Sequence, residues 1–217
     1  MRPVVKILLV LAALTVSGLL LYWVKCQLGV NVIDGFRWED RIPALEVFQK
    51  HIKIVHPKPG EELFTATFEN EVALKPWWKA YVLGKGLVGE RLSLEGRGGS
   101  KALEMANLSE LFWVKEYDHW VGVKPGEVFA YQGYCRFPAG ATEKRRAFMG
   151  IALHDAARKP VKWNAAESTV TAAGGADWQE LSGRLVVPEG VALIRFRISG
   201  DQQGPILFDD IRLWREK

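Results

Sequence analysis

From residue 61 onward the chain alternates apolar and polar residues in short runs broken by Gly, Pro and Asp. A period of two sends neighbouring side chains to opposite faces of an extended strand, so each run reads as a strand with one buried face. In residues 127–137, Phe129, Tyr131, Cys135 and Phe137 share one face, and Val128, Gln132, Tyr134 and Arg136 share the other. In residues 146–154, Met149, Ile151 and Leu153 oppose Phe148 and His154. In residues 191–199, Ile194, Phe196 and Ile198 alternate with Leu193, Arg195 and Arg197. Leu181, Leu185 and Val187 line another run, and a last one spans residues 205–214. No helical period competes with these strands. Many short strands at this spacing predict an all-β fold, a two-sheet antiparallel β-sandwich.

Residues 7–24 (ILLVLAALTVSGLLLYWV) carry no charge. That length predicts an N-terminal transmembrane helix. Tyr22 and Trp23 sit at one end, where aromatic residues meet the membrane interface. Arg2 and Lys6 sit at the other, which leaves the N-terminus in the cytoplasm and the remainder outside it, a single-pass arrangement. A cleaved signal peptide is the alternative, but Tyr22, Trp23 and Lys25 occupy the zone where small residues would be cut. Ile42, Leu45, Phe48 and Ile52 form one apolar stripe, which predicts a short connecting helix that packs on the β domain or lies on the membrane surface. The expected organisation is thus an anchor (1–25), a connector (26–60) and a β domain (61–217).

The charge distribution excludes nucleic acid as a partner. Residues 1–60 hold eight Lys and Arg against four Asp and Glu, whereas residues 61–217 hold 21 of each. The basic surplus therefore flanks the apolar segment, and the folded part lacks the basic excess that phosphate-backbone binding requires. The run Lys144-Arg145-Arg146 reads as a solvated loop. Cys26 and Cys135 are poorly placed to pair, and Cys135 reads as a small core residue.

Three stretches in order resemble the carbohydrate-binding-module and galactose-binding-domain-like jelly rolls. Thr67-Phe68-Glu69-Asn70 followed by Trp77-Trp78 resembles their opening segment. Residues 120–131 (WVGVKPGEVFAY) resemble "V-x-P-G-x-x-Y". Asp177-Trp178-Gln179, then Val187-Pro188-Glu189-Gly190, Arg195-Phe196-Arg197 and Phe208-Asp209-Asp210-Ile211, resemble the family's ending. The likeness covers most of residues 61–217. It departs from the pattern at Thr67, where the family has Gly, and in residues 109–119, which are longer and more aromatic.

The resemblance implies a structural calcium ion (Ca2+) held by Glu69 with Asp209 or Asp210, because calcium takes hard carboxylate oxygens and alternation turns only one of the two Asp inward. The same acids also suit caps of strand ends and turns. It further implies a carbohydrate ligand. A sugar stacks its C–H face on aromatic rings and binds its hydroxyls with polar groups. Trp77, Trp78, Trp113, Tyr117, Trp120 and Trp163 are candidate platforms, each equally suited to core packing, while Trp178 and Trp214 read as structural. With their strands side by side, Gln132, Tyr134, Arg136, His154, Arg195 and Arg197 share one cationic surface, which suits an acidic or polar glycan; an ordinary solvated face is the plain alternative. Asp118-His119 and His154-Asp155 are adjacent on strands and diverge, and no nucleophile elbow or phosphate loop is present. The sequence reading is therefore not an enzyme but a membrane-tethered, non-catalytic carbohydrate-binding module at the cell envelope. A protein-interaction module of an envelope or glycan-export complex and an envelope glycoside hydrolase are its alternatives.

Overall fold

The computed structural model describes residues 54–74, 77, 81–82, 88–141, 144–174, 176–201 and 203–217. The expected membrane anchor and connecting helix lie outside the described residues, and among these no helix is long and apolar enough to cross a membrane. Thirteen strands follow in chain order: β1 (Ile54–Val55), β2 (Glu62–Ala66), β3 (Tyr81–Val82), β4 (Val88–Ser93), β5 (Ala102–Asn107), β6 (Trp113–Glu116), β7 (Trp120–Gly122), β8 (Val128–Arg136), β9 (Arg146–His154), β10 (Pro160–Thr171), β11 (Gln179–Val186), β12 (Leu193–Gly200) and β13 (Gly204–Arg215).

The strands form two sheets. In sheet A, β12 has β9 on one side and both β6 and β7 on the other; β10 extends the sheet beyond β9, and β3 and β1 lie beyond β6 and β7. Sheet B runs β11-β8-β13-β5-β4, with β2 also on β13. All pairings are antiparallel except that of β1 with β7. The β1 pairing adds Ile54 and Val55 at the edge of sheet A, beside Trp120 and Val121.

The alternating faces meet between the sheets. Phe129, Tyr131 and Cys135 of β8 pack with Met149 and Ile151 of β9, Ile194, Phe196 and Ile198 of β12, and Phe208 and Ile211 of β13. Burying one residue in two along each strand is what fixes register, since a slip of one residue would expose the whole set. Two polar side chains cross this core. The Tyr131 hydroxyl of sheet B lies 2.8 and 2.5 Å from the Met149 and Ala166 carbonyl oxygens of sheet A. Lys115 of β6, fully buried, reaches Glu90 of β4 at 2.5 Å.

Two sequence expectations change here. The strand ending at Phe137 does not neighbour those ending at His154 and Ser199. β8 belongs to sheet B, while β9 and β12 belong to sheet A, so the single six-residue surface is not formed. The run Lys144-Arg145-Arg146 is not simply solvated. Arg145 is buried, donating to the carbonyls of Pro205 (3.1 Å) and Gln203, and Arg146 opens β9 and pairs with Asp201.

Trp113 is fully buried, edge-on to Phe208 of the opposite sheet at 6.1 Å. Trp113→Ala is expected to cost about 3–5 kcal/mol of unfolding free energy, measured by chemical denaturation.

Candidate ligand-binding face

The outer face of sheet A is set by cross-strand register. Arg197 of β12 stands between Gly150 of β9 and Glu116 of β6. Arg195 stands beside Ala152, and Leu193 stands between His154 and Gly122. Directly opposed residues share a face, so Glu116, His154, Arg195 and Arg197 all point away from the core. Gly150 and Ala152 put only small residues beside the two guanidiniums, and β10 packs over Gly150 through the Ala165 carbonyl and Glu167.

β10 supplies a wall. Its pairing with β9 slips three times between Pro160 and Ser168, and such bulges let a strand leave the sheet plane. As a result Trp163 lies over the face. Its carbonyl accepts from Arg197 Nη1 at 3.1 Å, its ring sits 5.8 Å from the His154 ring, and it is 47% exposed. On the other side of His154, Trp120 of β7 meets the imidazole edge-on at 4.7 Å. Arg195 packs over the Trp120 ring at 4.1 Å, while its Nη1 donates to Glu116 Oε2 at 2.8 Å. Arg158, in the β9–β10 turn, also approaches Trp120.

Burial pushes His154 below its ordinary pKa, so the ring is neutral at pH 7. Its Nδ1 lies 3.2 Å from the Arg158 carbonyl, an acceptor, which assigns the proton to Nδ1 and leaves Nε2 as an acceptor. On this one face, Trp120 Nε1, His154 Nε2, Glu116 Oε1 and Arg197 Nε are buried without a hydrogen-bond partner among the described residues. They comprise two donors and two acceptors. A hydroxyl both donates and accepts, so a polyhydroxylated ligand satisfies such a mixture.

Gln132, Tyr134 and Arg136 point outward from sheet B instead, and their groups are largely occupied, although Arg136 Nε is buried without a partner among the described residues. Gln132 accepts from Arg212, Arg136 pairs with Glu95 and lies 5.3 Å from the Trp178 ring, and Arg97 stacks on Tyr134 at 3.5 Å. A shallow, open depression of about 380 Å³ lies here, lined by Gln132, Ser182, Arg184, Arg212 and Trp214. Trp214 faces this surface under Arg212 rather than the core.

The acids expected to hold calcium are engaged by protein donors. Asp209, fully buried, accepts from the Arg97 backbone N–H (2.9 Å), Ser100 Oγ (3.1 Å) and the Asp210 N–H (2.8 Å). Asp210 is ion-paired to the Arg97 guanidinium at 2.5 Å. Glu69 is exposed, and no group of three acidic, His or Cys side chains is arranged to ligate a metal among the described residues. This donor set does not fit a calcium ion, because Arg97 supplies the positive charge at the Asp pair.

Of the four Trp expected in the ligand site, Trp120 alone lies on the sheet A face. Trp113 is core. Trp77 is buried against Phe64, Tyr117 and Phe196, and Trp78 lies outside the described residues. Glu116 was missed because the aromatic stretch 109–119 hid the alternation of β6. Trp163, read only as an unassigned aromatic, sits in a strand whose bulges erase its period.

No protein-family model matches the sequence, and no curated protein does either. Solved structures share the fold. The CBM22-1 xylan-binding domain of Paenibacillus barcinonensis Xyn10C is 20% identical, with a TM-score of 0.53 over 74% of this chain and 97% of that one. The CBM22-1–GH10 modules of a Clostridium thermocellum endo-1,4-beta-D-xylanase, solved with xylohexaose, are 18% identical, with a TM-score of 0.51 over 72% of this chain. This chain spans 29% of that longer one. These likenesses bear out the jelly-roll sandwich implied by the order of the sequence motifs.

Two outcomes follow from this geometry. Excess EDTA or excess Ca2+ is expected to leave the denaturation midpoint unchanged, whereas Arg97→Ala lowers stability by about 1 kcal/mol through loss of its ion pair and ring contact. For His154 the folded pKa lies below the unfolded value near 6.5. The unfolded chain therefore binds more protons in that window, and the stability from neutral His154 is full above pH 6.5 and lost as pH falls through the folded value. Denaturation of wild type and His154→Gln across pH 7.5 to 4.5 (about three units, spanning the ordinary His range) is expected to show a shallower acid-side slope in the variant.

Proposed function

We propose that the β domain is a non-catalytic carbohydrate-binding module whose ligand lies on the outer face of sheet A. The observation that carries this reading is the set of four buried, unpartnered polar atoms beside two Trp rings, at Glu116, Trp120, His154 and Arg197. Buried polar groups are ordinarily paired, and those that are not mark places where a polar partner is missing. Exposed Trp163 offers an apolar face for a sugar ring, and the floor offers donors and acceptors for hydroxyls. That the similar CBM22 domain is named for xylan binding supports the class of ligand at the level of fold.

Strands β6, β7, β9 and β12 contribute one carboxylate to this face, Glu116, already ion-paired to Arg195, and β10 adds the exposed Glu167 beside Gly150. Glycoside cleavage uses two facing carboxyl groups with one free to give a proton, and Glu116, tied to Arg195, is not free in that sense, so the arrangement favours binding over hydrolysis. The uncharged segment 7–24 completes the reading: a single-pass anchor holding the module at the outer surface of a membrane, within reach of envelope glycans.

The experiment is a glycan array on the full chain, followed by calorimetry on the best ligand. Trp163→Ala is expected to weaken binding by about ten-fold, or ~1.4 kcal/mol, with the fold intact by circular dichroism. Unchanged binding in Trp163→Ala, or no bound glycan at all, overturns the assignment of this face.

A further inference from the structure

We infer that the ligand of this face carries a carboxylate, a uronic-acid-type sugar, and that Arg197 receives it. The inference rests on the carbohydrate reading above and narrows it. Arg197 is 5% exposed, yet it makes no ion pair among the described residues. Its one hydrogen bond goes to the Trp163 carbonyl, and its Nε is buried without a partner. Other arginines of the domain are matched with acids: Arg97 with Asp210, Arg136 with Glu95, Arg146 with Asp201, Arg195 with Glu116 and Arg215 with Glu127. Arg145, the other buried arginine, also has an unpartnered Nε but is held by two main-chain carbonyls, one more than Arg197 has. A guanidinium is always charged at ordinary pH, so it cannot relieve its burial by losing a proton. A buried cation without a counter-charge is costly unless something else is gained.

The surroundings say what that gain is. Gly150 beside Arg197 adds no side chain of its own, and β10 packs there through the Ala165 carbonyl and Glu167. The planar fork of an arginine matches a carboxylate with two parallel hydrogen bonds. The charged groups around Arg197 are Arg195 and Glu116 of the neighbouring positions and Glu167 of β10 beyond Gly150; Glu116 commits one oxygen to Arg195, and Glu167 is exposed. Arg197 thus has donors to spare for a carboxylate, while Glu116 Oε1 and His154 Nε2 accept from sugar hydroxyls.

The test uses the full chain and pairs of oligosaccharides: uronic-acid oligomers of the galacturonate, glucuronate and mannuronate types, each beside its carboxyl-reduced neutral counterpart. A sulfated oligosaccharide on a neutral backbone separates carboxylate recognition from general attraction to anions. At least one carboxylated probe is expected to bind ten-fold or more tightly than its reduced form and than the sulfated probe. Arg197→Gln is expected to erase the preference, so that the acidic probe and its reduced form bind alike. Independently of any ligand, Arg197→Met is expected to raise the denaturation midpoint, because it removes an unpaired buried charge. A lower midpoint would show that the fold already satisfies the guanidinium and would overturn the inference. Equal binding of acidic and reduced probes, lost in Trp163→Ala, would overturn it while leaving the carbohydrate reading intact. A preference for the sulfated probe would also overturn it. Failure of every carboxylated probe, with a neutral glycan bound on the array, would overturn it alone, and no bound glycan at all would overturn both.

Discussion

The structure depends on one requirement: every second side chain along β8, β9, β12 and β13 is buried between the sheets. Once Ile194, Phe196 and Ile198 are committed to the core, Arg195 and Arg197 have no other place than the outer face of sheet A. The same rule sends Met149, Ile151 and Leu153 inward and His154 outward. The candidate site is therefore not an addition to the fold. It is the reverse side of the strands that build the interior, and neither set of side chains can be moved without the other.

Position on an outer face does not alone make a site, and the two sheets show the difference. On sheet B the polar groups are mostly answered by one another: Gln132 by Arg212, Arg184 by Glu216, Arg136 by Glu95. On sheet A the strand β10 lifts out of plane and brings Trp163 over His154 and Arg197, which removes these groups from water without pairing them all. Unpaired buried donors and acceptors lower stability, and such costs persist where function requires them. The Asp209–Asp210 corner illustrates the opposite solution. There Arg97 and Ser100 close the network, and the carboxylates are answered within the protein.

Much of the fold was legible in the sequence because period two is a local signal. The runs at residues 127–137, 146–154, 178–187, 191–199 and 205–214 correspond to β8, β9, β11, β12 and β13. Alternation also assigned the correct face to Arg195, Arg197 and His154. It is silent, however, about which sheet a strand joins. That is decided by long-range pairing, and this is why Gln132, Tyr134 and Arg136 were grouped with residues on the far side of the sandwich. Trp113 and Trp120 were indistinguishable in sequence, seven residues apart in one aromatic stretch, yet one fills the core and the other floors the face. The sequence offers Trp163 as a platform but not its face, for the same reason that β10 builds the wall: its side chains do not keep a regular period.

The central claim is that the sheet A face, and not sheet B or the core, receives the sugar. The most direct measurement is NMR of the tryptophan indole N–H resonances during titration with a bound oligosaccharide. The account predicts that the Trp120 and Trp163 signals shift together with saturation, while those of Trp113, Trp178 and Trp214 stay in place. Movement of Trp178 and Trp214 with Trp120 unmoved would place the ligand on the opposite sheet and contradict it.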